Sequence, residues 1–420
     1  MIRNRRYQDQ IIRSVESLFA ENNGRVLIQC PTGAGKTIIA VQLVDRAALR
    51  RVLYIVPSAE IFEQTSDKLD RLGIPHVCLN AGARPKLDST RVVLAMSQTL
   101  ANRRHSPMWA DWAPELIIID EVHRLIDQHK KILGIWNVPV IGMTATPVRL
   151  DGKSISDICP YLVLGPSIGE LQAGGFLVPA VTYIAEIPDL KHVRRRRTEY
   201  DSVEVEQAYI DSGVLDLVPQ SWLRYADGRR TITFAPGVDS SRMLVAAYKA
   251  RGIRAVHIDS LSTTDARNKA LQDLRDHKID VLCNVGLFIE GLDLIETECI
   301  TLCRPTHSVA YHVQSIGRGL RPAAHINKKS LVVIDHSGNC LRHGVIEAPR
   351  DWARGGVFHS QRLKVCRACR AVVSRKSPWC SFCGFEEKEN RVSDVARRRN
   401  ARRRSLNIKP RTCPLWAVKL

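Results

Sequence analysis

Between residues 25 and 150 the chain repeats one pattern, a short unbroken apolar run followed by an amphipathic stretch. The runs are 26–30, 52–56, 92–96, 116–119 and 140–143, with helical patterns over 37–49 and 61–72. A strand with one wet face alternates polar and apolar residues. These runs do not alternate, so each must be buried on both faces, as in a parallel sheet covered by helices on either side. The pattern weakens over 181–228, which contains Lys191-His192-Val193-Arg194-Arg195-Arg196-Arg197 and reads as a linker leading into a helix. It then resumes, with strands predicted at 231–234, 255–258, 280–283, 299–302 and 331–334 and helices at 242–251 and 264–277. The chain is therefore predicted to be α/β, with parallel-sheet domains over 1–180 and 229–350. A small cysteine-bearing unit over 360–390 and a tail over 391–420 follow them.

Composition narrows the class. Of 420 residues, 45% are hydrophobic and 25% charged, which excludes a disordered or fibrous chain. The densest apolar stretch, Leu116-Ile117-Ile118-Ile119, is far short of the ~18 residues that span a bilayer. No apolar segment follows the basic start Met1-Ile2-Arg3-Asn4-Arg5-Arg6, so a cytoplasmic protein with no membrane partner is expected. A net charge of +19 points to a polyanion as partner, most often nucleic acid. Four of twelve cysteines cluster near the C-terminus and the others are scattered, several in apolar runs, the pattern of a reducing compartment.

Cys30-Pro31-Thr32-Gly33-Ala34-Gly35-Lys36-Thr37 falls between the first apolar run and the first helical pattern. Glycines in that position let backbone N–H groups face an anion, and the helix start adds a favourable dipole. Thr32, Gly33, Ala34, Gly35, Lys36 and Thr37 are thus candidate nucleotide-binding residues, with Lys36 on the β/γ-phosphates and Thr37 on Mg²⁺. The strict pattern has glycine where Cys30 stands. Asp120-Glu121-Val122-His123 ends the strongest apolar run. There Asp120 can hold Mg²⁺ through water, while Glu121 polarises an attacking water.

With these segments in this order, the chain resembles a superfamily 2 helicase or translocase of the DEAD/DEAH-like group. It is nearest the subgroup of restriction-enzyme translocases and phage or bacterial repair helicases, over about residues 5–345. The resemblance implies two tandem RecA-like domains that close on ATP and Mg²⁺. It assigns Gln8, in Arg6-Tyr7-Gln8, to adenine, and Val56-Pro57-Ser58 and Ala95-Met96-Ser97-Gln98-Thr99 to strand gripping. It also matches Thr144-Ala145-Thr146-Pro147 with its continuation Arg149-Leu150-Asp151-Gly152, and Phe234-Ala235-Pro236-Gly237. In Glu290-Gly291-Leu292-Asp293 it implies that Gly291 and Asp293 contact the nucleotide. Gln314-Ser315-Ile316-Gly317-Arg318-Gly319-Leu320-Arg321-Pro322 matches the arginine-finger motif, so Gln314, Arg318 and Arg321 join Lys36, Asp120 and Glu121 as candidate catalytic residues. Arg318 and Arg321 are three apart and on a helix would face one way. The acidic motif departs from the group's usual spelling at Val122, and Leu287-Phe288-Ile289 is apolar where many relatives are polar.

Cys366-x-x-Cys369, ten residues, then Cys380-x-x-Cys383 has the spacing of a zinc ribbon. Four thiolates leave no open position, so the Zn²⁺ would be structural. Arg362, Lys364, Arg367, Arg370, Arg375 and Lys376 flank the pairs, and Trp379 and Phe382 suit base stacking; docking of a protein partner is the alternative. The tail over 391–420 holds ten Lys/Arg against one acid and suits phosphates. His257, His307, His312 and His336, and Cys299 and Cys303, read as structural. DNA is the favoured track. An RNA helicase and a nucleic-acid-binding ATP switch with little unwinding stay open. No nuclease signature accompanies the motor motifs.

Overall fold

The protein is described here from a computed structural model covering residues 5–386, without 22–23, 48–49, 83–84, 88, 149–154, 197–198, 288–293, 357 and 359–362, and Ala417–Val418. Arg149 to Gly152, Glu290 to Asp293 (with Gly291 and Asp293), Arg197, Arg362 and nearly all of the basic tail lie outside the described residues.

The first half runs α1 (Arg6–Ala20), β1 (Arg25–Gln29), α2 (Lys36–Arg46), β2 (Val52–Val56), α3 (Ala59–Arg71), β3 (Val77–Leu79), β4 (Val92–Met96), α4 (Ser97–Arg103), β5 (Leu116–Ile119), α5 (Ile126–Leu133), β6 (Val140–Thr144), β7 (Tyr161–Leu164) and α6 (Ile168–Ala173). Its strands pair in the order β7-β1-β6-β5-β2-β4-β3, and the two residues Ala417–Val418 add beside β7. All these pairs are parallel. β2, β5 and β6 are buried at every residue, as their unbroken apolar sequences require. Each such Val, Leu or Ile contributes ~1.5–3 kcal/mol on burial.

The second half runs β8 (Ala180–Ile184), β9 (Arg195–Arg196), β10 (Glu199–Tyr200), α7 (Ser202–Asp211), α8 (Val214–Ala226), β11 (Thr231–Phe234), α9 (Val238–Lys249), β12 (Ala255–Ile258), α10 (Thr264–Arg275), β13 (Val281–Asn284), β14 (Cys299–Leu302), α11 (Val309–Gly317), β15 (Leu331–Asp335) and α12 (Asn339–His343). The order β12-β13-β11-β14-β15-β8 is again wholly parallel. Where the sequence suggests a linker and a helix, β8 is the edge strand of this sheet, β9 and β10 form a short hairpin, and α7 and α8 contribute buried residues to the same core. The edge strand escapes sequence reading because it is partly exposed and so lacks a full apolar run.

Beyond it, β16 (Leu363–Val365) and β17 (Val372–Ser374) form an antiparallel pair that carries the four cysteines. This unit is fastened to β8. Ile184 N–H donates to Arg370 O at 3.1 Å, and Arg370 Nε donates back to Ile184 O at 3.1 Å.

Cys30 is buried where the phosphate-loop pattern has glycine, and the space for its side chain comes from Gly165 just after β7. A Cβ on Gly165 would lie 2.5 Å from Cys30 Sγ and 3.0 Å from Gln29 O. Gly165→Ala is expected to lower stability by ~1–3 kcal/mol in a denaturant titration, and Cys30→Ala in the same chain to recover part of it. A neutral Gly165→Ala would contradict this fit.

Candidate active site between the two domains

β1, β6 and β5 lie side by side and parallel, so their C-terminal ends deliver three loops to one edge: Pro31–Thr37, Thr144–Pro147 and Asp120–His123. Gly33 and Gly35 take φ of 85° and 83°, which turns the first loop into the N-terminus of α2. Gln8 is buried behind this loop. Its Oε1 accepts from Arg5 N–H at 2.9 Å, and its Nε2 donates to Ala34 O at 3.2 Å; Tyr7 OH donates to the same carbonyl at 2.6 Å.

Lys36 Nζ is 3.2 Å from Glu121 Oε1. Glu121 Oε2 lies 3.4 Å from His123 Nδ1, is buried and accepts no hydrogen bond. Burial and then the Glu121 charge push the Asp120 carboxyl up to about 6. Burial acts the same way on Glu121, but Lys36, His123 and Arg318 outweigh it and hold that carboxyl below its usual range. Lys68 Nζ donates to Thr37 Oγ1 at 3.5 Å. Two buried carboxylates and a hydroxyl on one edge, one carboxylate reluctant to ionise and the other with an orphaned oxygen, suit a divalent cation.

The second domain completes this edge. Gln314, buried on α11, places Nε2 3.4 Å from both His123 Nε2 and Thr146 Oγ1. His123 Nδ1 shares a hydrogen with Thr144 Oγ1 at 2.9 Å. A Cβ on Gly33 would lie 3.3 Å from Arg321 Cγ, and one on Gly317 3.2 Å from Thr32 Oγ1, so the end of α11 rests against the phosphate loop. The two arginines do not share one α-helix as expected. α11 ends at Gly317, Arg318 opens a 3₁₀ turn, and Arg321 is extended because Pro322 follows it. Arg318 still acts on Glu121 by charge, while Arg321 reaches the loop.

Two residues here escaped sequence reading. His123 is legible only as a variant spelling, yet it links both domains. Glu199 on β10 accepts from Thr306 Oγ1 at 2.6 Å, His307 N–H at 3.1 Å and Ser308 N–H at 2.8 Å, which fixes the start of α11. Nothing in the local sequence of Glu199 signals that contact. The histidines read as structural keep that role: His312 pairs with Gly344 O, His336 with Glu186 O, and His257 with Ser241 and Asp259. His307 packs against Tyr200 with the rings tilted, centroids 4.5 Å apart. Beside the loop a cavity of about 750 Å³ lies between the domains, lined by Tyr7, Pro31, Phe176, Val313, Arg350 and Trp352 among others.

The four C-terminal cysteines bring their sulfurs within 4.8 Å of one another, with Cys366–Cys383 and Cys369–Cys380 at 3.7 Å. Zn–S bonds of about 2.3 Å imply a tetrahedral S–S edge of about 3.8 Å, so the cluster fits zinc. Among the described residues no helix is long and apolar enough to cross a membrane.

Residues 1–149 match the family described as type III restriction enzyme, res subunit, and residues 214–323 match the helicase conserved C-terminal domain. A 51.5 kDa protein of a Lactococcus phage is 28% identical over 382 residues, covering 87% of this chain and 80% of the phage protein. The putative ATP-dependent helicase IRC3 of Saccharomyces cerevisiae is 27% identical over 371 residues, covering 82% of this chain and 53% of the yeast protein, so the chain spans about half of that relative. Among solved structures, a fragment of a putative HsdR subunit of a type I restriction enzyme from Vibrio vulnificus superposes with a TM-score of 0.62 at 20% identity, covering 84% of this chain and 67% of that one. The chain thus joins a restriction-subunit domain to a helicase C-terminal domain on two parallel-sheet α/β units, the domain pair of an ATP-hydrolysing, nucleic-acid-dependent enzyme.

Proposed function

We propose that this protein is an ATP-driven DNA translocase or helicase. The observation that carries the reading is the split site: Lys36, Asp120 and Glu121 stand on one domain, and from the other Arg318 acts on Glu121, Gln314 meets His123 and Thr146, and Arg321 lies against Gly33. A site divided this way is complete only when the domains are closed, so each turnover is tied to closure and reopening. The net charge of +19 and the restriction-enzyme family of the first half favour DNA as the track.

In this reading the backbone of Thr32 to Gly35 cradles the phosphates, and Lys36 leaves Glu121 to pair with them. Thr37 and Asp120 would hold Mg²⁺, which would supply positive charge against the phosphates. Glu121, released from Lys36, orients and deprotonates the attacking water. Arg318 and Arg321 stabilise the charge that builds on the transferred group. Gln314 and His123 report between the domains. Gln8 keeps one amide N–H beyond its bond to Ala34 O, and that hydrogen is available to adenine. Gly291 and Asp293, outside the described residues, stay in the reading as nucleotide contacts on the resemblance alone.

Cys366, Cys369, Cys380 and Cys383 would hold a structural Zn²⁺, which would tie the turn between the two short strands to the segment after them. Purified protein is expected to contain one zinc per chain. Chelation or Cys380→Ser should open residues 363–386 to hydrogen exchange, with the rest of the second sheet keeping its protection. A ribbon that stays protected without metal would reject this. The domain limits read from the sequence, with the ribbon and basic tail as separate units, belong to the same proposal. The tail would contribute phosphate contacts.

The function is tested by steady-state ATPase rate with no nucleic acid, single-stranded DNA, duplex DNA and RNA, with Lys36→Ala as the blank. Stimulation by DNA above RNA supports the reading. Stimulation by RNA alone makes the protein an RNA helicase.

A further inference from the structure

Among the described residues the exposed aromatic side chains are Tyr161, Trp379, Phe382 and Phe385, and three of these four fall within seven consecutive residues of the cysteine ribbon. Trp379 is 54% exposed, Phe382 45% and Phe385 41%. An apolar core was available to them. The ribbon buries Cys366, Ala371, Val373 and Cys380 against Tyr183, itself stacked on Tyr225 at 4.2 Å, yet all three aromatics stay outside it. The backbone holds them close together: Trp379 is bridged to Glu386, and Cys380 N–H donates to Phe385 O at 2.8 Å. Phe382 sits at the turn between, just before Cys383 and Gly384, whose φ is 72°.

The described charges of the ribbon are mostly positive. Arg367, Arg370, Arg375 and Lys376 are exposed on the ribbon, against Glu386 among its described acids. Exposed aromatic rings preceded in the chain by exposed cations suit stacked bases joined by phosphates better than an apolar protein surface. Placement agrees. The ribbon bonds to Tyr183 and Ile184, the last residues of β8. Because the sheet is parallel, that is the end at which β11 and β13 also open their loops, at Phe234 and Asn284. The ribbon is hydrogen-bonded to the second domain, so in the motor reading whatever its tip grips would move with that domain.

We infer that Trp379, Phe382 and Phe385 form a stacking platform for single-stranded DNA, with Arg375 and Lys376 on its phosphates. The inference rests on the DNA-motor reading and adds a contact point to it. The test is binding of a fluorescent oligothymidine to the full chain over a salt series. Replacing the three aromatics together by alanine should weaken binding about tenfold or more, with the slope of log affinity against log salt unchanged, since stacking releases no counterions. Trp379→Phe alone should bind as the parent does, because a ring remains. Arg375→Ala with Lys376→Ala should lower the slope by about 0.7 for each phosphate left without its cation. Zinc content checks that the ribbon is folded in every variant. Undiminished oligothymidine affinity in the zinc-loaded triple variant overturns the inference and turns the tip into a protein-docking surface. If the parent itself binds no DNA, the motor reading fails first, so the two failures are distinguishable.

Discussion

Arg321→Ala is expected to lower the DNA-stimulated turnover by about 10³–10⁵, the range an arginine finger contributes to phosphoryl transfer. Arg321 comes from the second domain, is extended rather than helical, and lies against Gly33 at the crest of the phosphate loop. Its guanidinium acts on charge that exists mainly in the transition state, so nucleotide affinity should change far less than turnover. Arg321→Lys should not restore the rate, because an ammonium on a shorter reach cannot replace a planar fork. Single-turnover hydrolysis at saturating ATP reads this directly. A loss of less than tenfold would move the finger role to Arg318 or elsewhere.

Glu121→Gln is expected to lower turnover by about 10²–10⁴, the usual contribution of a general base, while ATP still binds. The substitution keeps volume and removes one of two buried negative charges. It therefore also lets the Asp120 carboxyl relax downward from about 6, since Glu121 is the second cause of its elevation after burial. Lys36 loses its partner at 3.2 Å and is free for the phosphates, so affinity for ATP should hold or improve. Equilibrium binding of a fluorescent ATP beside the hydrolysis rate separates the two effects. Near-normal hydrolysis would remove Glu121 from the chemistry.

The parts of this molecule that sequence discloses are those whose physics is local. β2, β5 and β6 announce themselves because strands buried on both faces need unbroken apolar runs. The phosphate loop is legible because two residues at positive φ and a helix start leave few alternatives to glycine. The cysteine spacing is legible because tetrahedral sulfur geometry constrains it. The hidden parts depend on pairings distant in sequence. β8 is a half-exposed edge, and its partner β15 lies some 150 residues on. Glu199 caps α11 from a basic hairpin that reads as linker, and His123 meets Gln314 only across the closed domains. The arginine pair shows the complementary error: a three-residue spacing suggests one helical face, but Pro322 ends the regular structure before Arg321.

The central claim is that ATP turnover in a site shared by two domains moves the protein along DNA. Displacement of a third strand from a duplex carrying a triplex tests it most directly, because it detects movement with or without strand separation. The account predicts displacement that requires ATP and Mg²⁺ and disappears in Lys36→Ala. DNA-stimulated hydrolysis with no displacement of the triplex strand, and none of a strand from a forked duplex, would contradict it and leave a nucleotide-driven clamp.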